Sequence, residues 1–229
     1  MEFTHNGPDV LRLGIVFFEG VRAVEPSSLL NNALKERLLE LGAGLTLDED
    51  VFRTQVRDVF RNGSYKPTGR AKPASEYLLR AASESNFPRI NTLVDCCNYL
   101  SIASLLPISI WDAERANTDT FVFRLGFEDE EYTFNSAGHV IRLKDLIVGC
   151  RVLPDNKTAA IVNAVKDSMA TKTNEHSSVV AAAVYAPMHE GPTMTLEKVC
   201  TSFVEIVSAT STSCTGKWRI LTAGETVHL

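Results

Sequence analysis

The sequence lacks the cysteine spacings of several common protein classes. None of its five cysteines forms a CxxC pair with another, so the pattern indicates neither a zinc site nor a redox motif. An odd number of cysteines argues against a disulfide framework. We therefore expect free thiols packed in the core of a protein from a reducing compartment. We also expect no metal ion and no other cofactor.

Long apolar runs and known hydrolase motifs are also missing. No window reaches the roughly 18 apolar residues of a membrane-spanning helix, and the N-terminal segment lacks the basic start and apolar run of a signal peptide. We therefore expect a soluble, cytoplasmic protein without a membrane partner. The sequence has no GxSxG motif, and its five histidines are scattered, so no Ser/His/Asp triad is indicated.

Charge is distributed unevenly along the chain. The formal net charge is -5. The segment 53–89 holds eight basic residues and three acidic ones, a net charge of +5, which leaves -10 on the rest. A local positive surface on an acidic protein can direct a polyanion to one place. The alternative is a solvated face partly paired with acidic groups.

Periodicity predicts helices in the first half and strands in the second. Leu11–Glu19 is nearly continuous in apolar residues and predicts a buried strand. Helices are predicted after caps at Ser27 and Ser28, over about 48–61, from near Pro73, and over about 90–105. Beyond Asp112, short strands are predicted over 121–126, 131–135 and 139–150, and an apolar strand over 177–187. A helix over about 195–208, a Ser/Thr-rich loop over 208–215 and a closing strand over 217–222 follow. Because helices and strands do not alternate along the chain, we expect an α+β fold in a single domain, 1–229.

A basic loop, SYKPTGRAKPASEYLL, covers 64–79. Two prolines and a glycine stiffen it, and it leads into a helix N-terminus, where an anion is favourable. Cations held on a stiff loop lose less entropy when they bind phosphate. Ser75 and Glu76 fall in the first helical turn, where we expect a structural, capping role. The predicted phosphate contacts are Arg57, Arg61, Lys66, Arg70 and Lys72.

A polar stripe follows in FPRINTLVDCCNYLSI. Asn91, Asp95 and Asn98 are spaced at i, i+4 and i+7 on a helix that is otherwise apolar. If they are buried, these groups need hydrogen-bond partners. They either satisfy irregular backbone or line a pocket, and spacing alone favours the structural interpretation.

Three segments together resemble the tRNA-editing domain of the phenylalanyl-tRNA synthetase beta chain. They are YKPTGRAKPASEYLL, PRINTLVDCCNYLSI and LLPISIWD. The likeness is strongest over 57–112, weaker to 187, and closest to free-standing copies of the domain. The matching positions are Pro88, Ile90, Asn91, Val94, Asp95, Asn98, Tyr99, Pro107 and Asp112.

The resemblance implies a fold and an activity. The fold is α+β, with helices flanking a β-sandwich of unusual topology. The activity is binding of the aminoacyl-tRNA acceptor end and hydrolysis of a mischarged ester in trans. The sequence departs from the family at two places. Ser109 stands where the synthetase domain has a histidine, and Ala182 or Ala183 stands where it has a glutamate that selects tyrosine. A pocket without that acceptor is not expected to favour tyrosine by the same hydrogen bond.

Ester hydrolysis requires a held water and a stabilised oxyanion. We take Asn98 as the first candidate for orienting substrate or water, with Asn91 and Ser109 next, and expect Asp112 to cap or brace the pocket. The polar segment AVKDSMATKTN, 164–174, adds Asp167 as a catalytic candidate. Lys166 and Lys172 from the same segment are candidates for holding phosphate, and the alternative is a basic surface turn.

Three hypotheses follow for the function. The first is a free-standing aminoacyl-tRNA deacylase. The second is a non-catalytic tRNA-binding module, which the missing histidine and glutamate favour. The third is a small-molecule hydrolase or amino-acid-binding protein that has kept only the pocket.

Overall fold

The structure is a computed structural model that describes residues 1–22, 28–209 and 212–229. The predicted cap at Ser27 and part of the predicted loop over 208–215 lie outside the described residues. Ser28 is the first residue of the first helix. Within the described residues, helices and strands mix without strict alternation, which confirms the α+β prediction.

The described strands form two larger sheets and a hairpin. The strand order is β11-β1-β4-β7-β8 in the first sheet and β10-β2-β9-β3 in the second, and β5 pairs with β6. The bounds are β1 Glu2–His5, β2 Leu11–Glu19, β3 Ile108–Asp112, β4 Thr120–Leu125, β5 Glu131–Thr133, β6 Val140–Arg142, β7 Ile147–Val152, β8 Thr158–Asn163, β9 Val179–Pro187, β10 Thr215–Leu221 and β11 Thr226–His228.

Helices lie mainly in the first half of the chain, as predicted. Their bounds are α1 Ser28–Gly42, α2 Leu47–Val59, α3 Ala74–Ser83, α4 Thr92–Ser104, α5 Ala113–Ala116 and α6 Leu196–Ser208. Thr46 caps α2 in a reciprocal capping box with Glu49, which satisfies two backbone amides at that helix end. Pro73 takes the N-cap position of α3 instead of its predicted place within the first turn, and no side chain caps that helix.

Aromatic side chains join the two larger sheets in the core. Phe3 of β1 and Phe121 of β4 both contact Trp111 of β3, with ring centroids 6.4 Å and 5.6 Å apart. Phe123 of β4 likewise contacts Tyr185 of β9 at 6.3 Å. Helix α6 packs on β2 and β10. Burial on both sides explains why β2 and β9 read as nearly continuous apolar runs.

Four strands were not predicted from the sequence, namely β1, β3, β8 and β11. One strand was predicted over 139–150, where the structure has two, β6 and β7. Asp145 separates β6 from β7 with a φ of 60°. Its carboxylate accepts hydrogen bonds at 2.7 Å from the amide and the hydroxyl of Ser64. A side chain at Gly63 would collide with this carboxylate, because an added Cβ would lie 2.5 Å from it. This contact fixes the start of the basic loop against the strand-rich half.

Candidate functional site

A pocket of about 380 Å³ opens where α3, α4 and β3 meet the segment that follows β8. Its walls are mostly apolar. Four positions of the motif resemblance line it, together with four polar residues from 164–174. These are Pro88, Ile90, Val94 and Asn98 from the motif, and Lys166, Asp167, Lys172 and Thr173 from the later segment. Tertiary structure therefore brings together two stretches of sequence about 70 residues apart.

Asp167 is the ionisable carboxyl group of this pocket. Its Oδ2 accepts a hydrogen bond from the amide of Ile110 at 3.2 Å. Its Oδ1 is sealed from solvent and has no partner among the described residues. Burial raises the pKa of Asp167 to about 7, although the Ile110 amide and the charge of Lys172 favour the carboxylate. Near neutral pH this carboxyl group can therefore accept or donate a proton.

A buried polar network holds the segment before Asp167 in place. Asn163, at the end of β8, accepts hydrogen bonds through Oδ1 from the amides of Val165 and Lys166 at 2.7 Å and 2.9 Å. Its Nδ2 donates to the hydroxyl of Tyr132 at 2.6 Å, and that hydroxyl donates to the carbonyl of Lys166 at 2.6 Å. The network fixes the direction in which the chain leaves β8 and so the position of the carboxyl group.

Ser109 belongs to this supporting network. Its side chain is buried, and its hydroxyl donates to the carbonyl of Asn163 at 2.8 Å and lies 3.2 Å from the hydroxyl of Tyr185. Ser109 does not line the pocket. The structure thus places this predicted catalytic residue beneath the site. Ala182 and Ala183 are also fully buried and lie opposite Ile110 and Ser109 in the sheet, away from the pocket wall.

The polar stripe of α4 divides into structural and pocket residues. Asn91 is the N-cap, and its side chain accepts a hydrogen bond from the amide of Val94 at 3.0 Å. Asp95 is buried and accepts hydrogen bonds from Arg89 and from the amide of Ile90. Asn98 lines the pocket and makes no side-chain hydrogen bond with any described residue. Of the two asparagine candidates, Asn98 lies in the pocket and Asn91 does not.

Asp112, predicted to cap or brace the pocket, does not line it and has a structural role. Its Oδ1 accepts a hydrogen bond from the amide of Arg115 at 2.9 Å, which caps α5. Its Oδ2 accepts one from the hydroxyl of Ser177 at 2.6 Å.

One hydrogen bond within the basic loop and one to the segment after β8 hold the loop in place. The hydroxyl of Tyr65 donates to the carbonyl of Ala71 at 2.5 Å, and the amide of Ala74 donates to the carbonyl of Ala164 at 2.8 Å. Lys66 and Arg70 are exposed on this loop, and neither forms an ion pair within the described part of the chain. These two cations are accessible to a ligand from solvent.

Glu76 forms ion pairs with three other cations of the basic segment. This carboxylate accepts hydrogen bonds from Arg57 and Arg53 and lies 3.6 Å from Lys72. Burial opposes its ionisation, but the three cations outweigh burial and lower the pKa of Glu76. The structural role expected for Glu76 is therefore an ion-pair network and not a helix cap. Arg57 and Lys72, both predicted phosphate contacts, already have an anionic partner.

Two further predicted contacts, Arg61 and Lys172, differ in their surroundings. Arg61 pairs with Asp58 at 2.6 Å on the surface of α2. Lys172 is exposed at the pocket, and no acidic side chain pairs with its ammonium among the residues described. Lys166 places its Nζ 4.0 Å from the ring centroid of Phe134. The two lysines thus flank the Asp167 pocket.

All five cysteines are free and buried, as predicted. In the described ranges, no three potential metal ligands of the His, Cys, Asp or Glu type come together. No helix in the same ranges is both long and apolar enough to cross a membrane.

No protein-family model and no curated protein matches the chain.

Several residues that shape this region were not predicted from the sequence. Asn163, Tyr132 and Tyr185 support the pocket, and Phe134 lines it. Phe134 and Tyr132 lie in a short strand pattern that carries no chemical signature. Asn163, a polar residue ending an apolar run, was the only one with a recognisable signal.

Proposed function

We propose that this protein binds the acceptor end of an aminoacyl-tRNA and hydrolyses a mischarged aminoacyl ester in trans. One observation carries the proposal. A carboxyl group with a pKa of about 7, that of Asp167, lies in a pocket lined by four positions of the editing-domain resemblance. Lys172 is an exposed cation at the pocket, and the basic loop holds two more, Lys66 and Arg70.

In this proposal Asp167 is the general base. Its carboxylate takes a proton from a water molecule as the water oxygen attacks the ester carbonyl. The resulting tetrahedral intermediate collapses by breaking the bond to the ribose oxygen. Asp167 then donates its proton to that oxygen, so the products are a free amino acid and the tRNA hydroxyl. A base with a pKa near the working pH is well matched to this double transfer.

Asn98 and Lys172 have complementary roles in the same proposal. The amide of Asn98 has no partner among the described residues and can donate a hydrogen bond to the developing oxyanion. The exposed ammonium of Lys172 is placed to meet a phosphate at the pocket entrance. Ser109 and Asn163 act as positioning residues, because they hold the segment before Asp167 and not a ligand.

The same proposal extends to the fold. We assign the chain to a free-standing relative of the synthetase editing domain, with helices flanking a sandwich-like pair of sheets. Support comes from the placement of the motif, since four of its nine positions line one pocket. The pocket walls at Ile108 and Ile110 are apolar, and no glutamate stands on β9 to select a tyrosine hydroxyl.

A non-catalytic tRNA-binding module is the second candidate. The observation that favours it is that two predicted catalytic groups are used in structure, Asn91 as a helix cap and Ser109 in the buried network. This candidate shares the cationic surface with the first but assigns no chemistry to Asp167. The third possibility, an amino-acid-binding protein, predicts stabilisation by free amino acids without any effect of tRNA.

A deacylation panel tests the proposal. Mischarged tRNAs are incubated with wild-type protein and with Asp167→Asn, Asn98→Ala and, as a matched surface control, Asp155→Asn. We expect at least one tRNA to be deacylated, with the rate rising tenfold per pH unit up to about pH 7. Asp167→Asn is expected to lower the rate by about 10²–10⁴-fold. Binding of tRNA without hydrolysis by wild-type protein would favour the second candidate and reject the first.

A further inference from the structure

A second, larger groove lies beside the Asp167 pocket. It measures about 610 Å³ and is bounded by the β5–β6 hairpin on one side and the basic loop on the other. Its cationic lining residues are Arg70, Arg142 and Lys166, and His139 adds an imidazole. Among the described residues, no aspartate or glutamate lines it. The groove is therefore electropositive on a protein whose overall charge is negative.

The cations of this groove are available to a ligand. Arg70 and Arg142 are exposed, and neither forms an ion pair with a described acidic residue. Glu131 lies directly opposite Arg142 in the hairpin, yet no ion pair joins them. This contrasts with Arg57, whose guanidinium is held by Glu76.

The hairpin also presents an aromatic surface. Phe134 is half-buried, and its ring lies nearly parallel to that of His139, with centroids 6.1 Å apart and 22° between the planes. Asn135 fixes the turn, since its Oδ1 accepts a hydrogen bond from the amide of His139 at 3.0 Å and its Nδ2 lies 2.9 Å from Nδ1 of that residue. Nζ of Lys166 covers one face of the Phe134 ring at 4.0 Å from its centroid, so a base stacks on that face only if the ammonium moves. Rigid aromatic rings beside cations are a common arrangement for holding unpaired bases and their phosphates.

The groove and the pocket are adjacent. Phe134 and Lys166 line both of them, so a chain lying along the hairpin reaches residues that also line the Asp167 pocket. A continuous duplex is poorly matched to this arrangement because its internal base pairs present no free face on which an aromatic ring can stack.

We propose that this groove binds the phosphodiester backbone and one unpaired base of the single-stranded 3′ end of an RNA, and that Phe134 and Arg142 are its specificity residues. The inference rests on the proposed function, because it takes the terminal residue of that strand to enter the Asp167 pocket. It adds the β5–β6 hairpin, which no motif of the sequence indicated.

The test uses two fluorescein-labelled RNA hairpins that share one stem, one with a four-nucleotide 3′ ACCA overhang and one blunt-ended. Fluorescence anisotropy gives the Kd of each for the full-length protein. Arg142→Gln is expected to weaken binding of the overhang RNA by about tenfold through loss of a charge-assisted contact. Phe134→Leu is expected to weaken it by about fivefold or more through loss of stacking. Arg219→Gln, an exposed arginine on β10, is the matched control and should leave both Kd values unchanged.

The outcomes separate this inference from the proposed function. Overhang-selective losses in the Arg142 and Phe134 variants support the groove, even if wild-type protein hydrolyses no ester. Equal losses for blunt and overhang RNA, or no loss, overturn the groove, even if wild-type protein is an active deacylase. Circular dichroism of each variant confirms folding, and Arg142→Gln alone decides the matter if Phe134→Leu is unstable.

Discussion

The carboxylate of Asp167 and the amide of Ile110 are joined by a hydrogen bond of 3.2 Å. Ile110 lies on β3, at the edge of its sheet, so this amide would otherwise lack a strand partner. The bond satisfies the edge of the sheet with one carboxyl oxygen and leaves the other, Oδ1, unpartnered among the described residues. One contact thus connects the edge of a β-sheet to the only carboxyl group among the described residues that line the pocket.

Asp167→Asn is expected to change the pH dependence of stability. Burial raises the pKa of Asp167 from an ordinary 3.8 to about 7, so the folded protein holds a proton that the unfolded chain releases between these values. Stability contributed by this proton is complete below about pH 4 and is lost as the pH rises to 7. The neutral asparagine has no such dependence. At pH 8 the variant should be more stable by about 2–4 kcal/mol.

Urea unfolding at pH 4.5 and pH 8 measures this difference. Asp155→Asn, at an exposed turn, serves as the control and should follow the wild-type curve at both values. If Asp167→Asn loses stability between the two pH values as the wild-type protein does, the carboxyl group is not the buried titrating group inferred here.

Asn91→Ala is expected to affect stability, and Asn98→Ala is expected to affect the rate of deacylation. Asn91 caps α4, so its replacement should lower the free energy of unfolding by about 1 kcal/mol and leave the pocket chemistry largely intact. Asn98 has no partner to lose among the described residues, so its replacement should leave stability within about 0.5 kcal/mol. If its amide stabilises an oxyanion, deacylation should fall by about 10²-fold.

Thermal unfolding and single-turnover deacylation of both variants provide the comparison. Equal effects of the two substitutions on rate would remove the assignment of Asn98 to the pocket chemistry.

Glu76→Gln is expected to destabilise the protein and strengthen its binding to RNA. Removal of the charge leaves Arg53, Arg57 and Lys72 without their common anion, at a cost of about 2–4 kcal/mol at pH 7. Because the pKa of Glu76 is lowered in the folded state, its contribution is present above about pH 4.5 and is lost as the pH falls through the folded pKa. The free energies of unfolding of the variant and the wild-type protein should therefore become equal at acidic pH.

Denaturant titrations at pH 7 and pH 3, with tRNA binding at pH 7, measure the two effects. Glu84→Gln removes an exposed partner of Arg80 and should change neither. Unchanged tRNA affinity in folded Glu76→Gln would show that the released cations do not contact RNA.

Arg70→Gln and Lys72→Gln are expected to differ in their effect on the salt dependence of tRNA binding. A free cation that neutralises one phosphate contributes about 0.7–0.9 to the slope of log Kd against log salt concentration. Arg70 has no ion pair with a described residue, so its loss should reduce the slope by about that amount. Lys72 lies 3.6 Å from Glu76, so its loss should reduce the slope by less. Equal reductions would mean that Glu76 does not compete with RNA for Lys72.

Local sequence patterns predicted the elements that have their own periodicity. The near-continuous apolar runs of β2 and β9 and the 3.6-residue repeats of α2 and α6 each exceed eight residues, which is long enough to identify them. The short strands β1 and β11 have three or four residues and depend on pairing with each other at opposite ends of the chain. No local window contains that information, and the sequence analysis missed them for this reason.

The sequence by itself determined the chemical groups of the site. It identified Asn98, Asp167 and Lys172 as polar residues within apolar surroundings, and the stiff basic loop that holds Arg70. Only the tertiary structure decided which of these groups are free to act. Glu76 pairs with Arg57, 19 residues away, and Ser109 lies buried beneath the pocket. A charged side chain can bind a ligand only if no neighbouring group already pairs with it. Those neighbours come from distant parts of the sequence and are set by long-range packing.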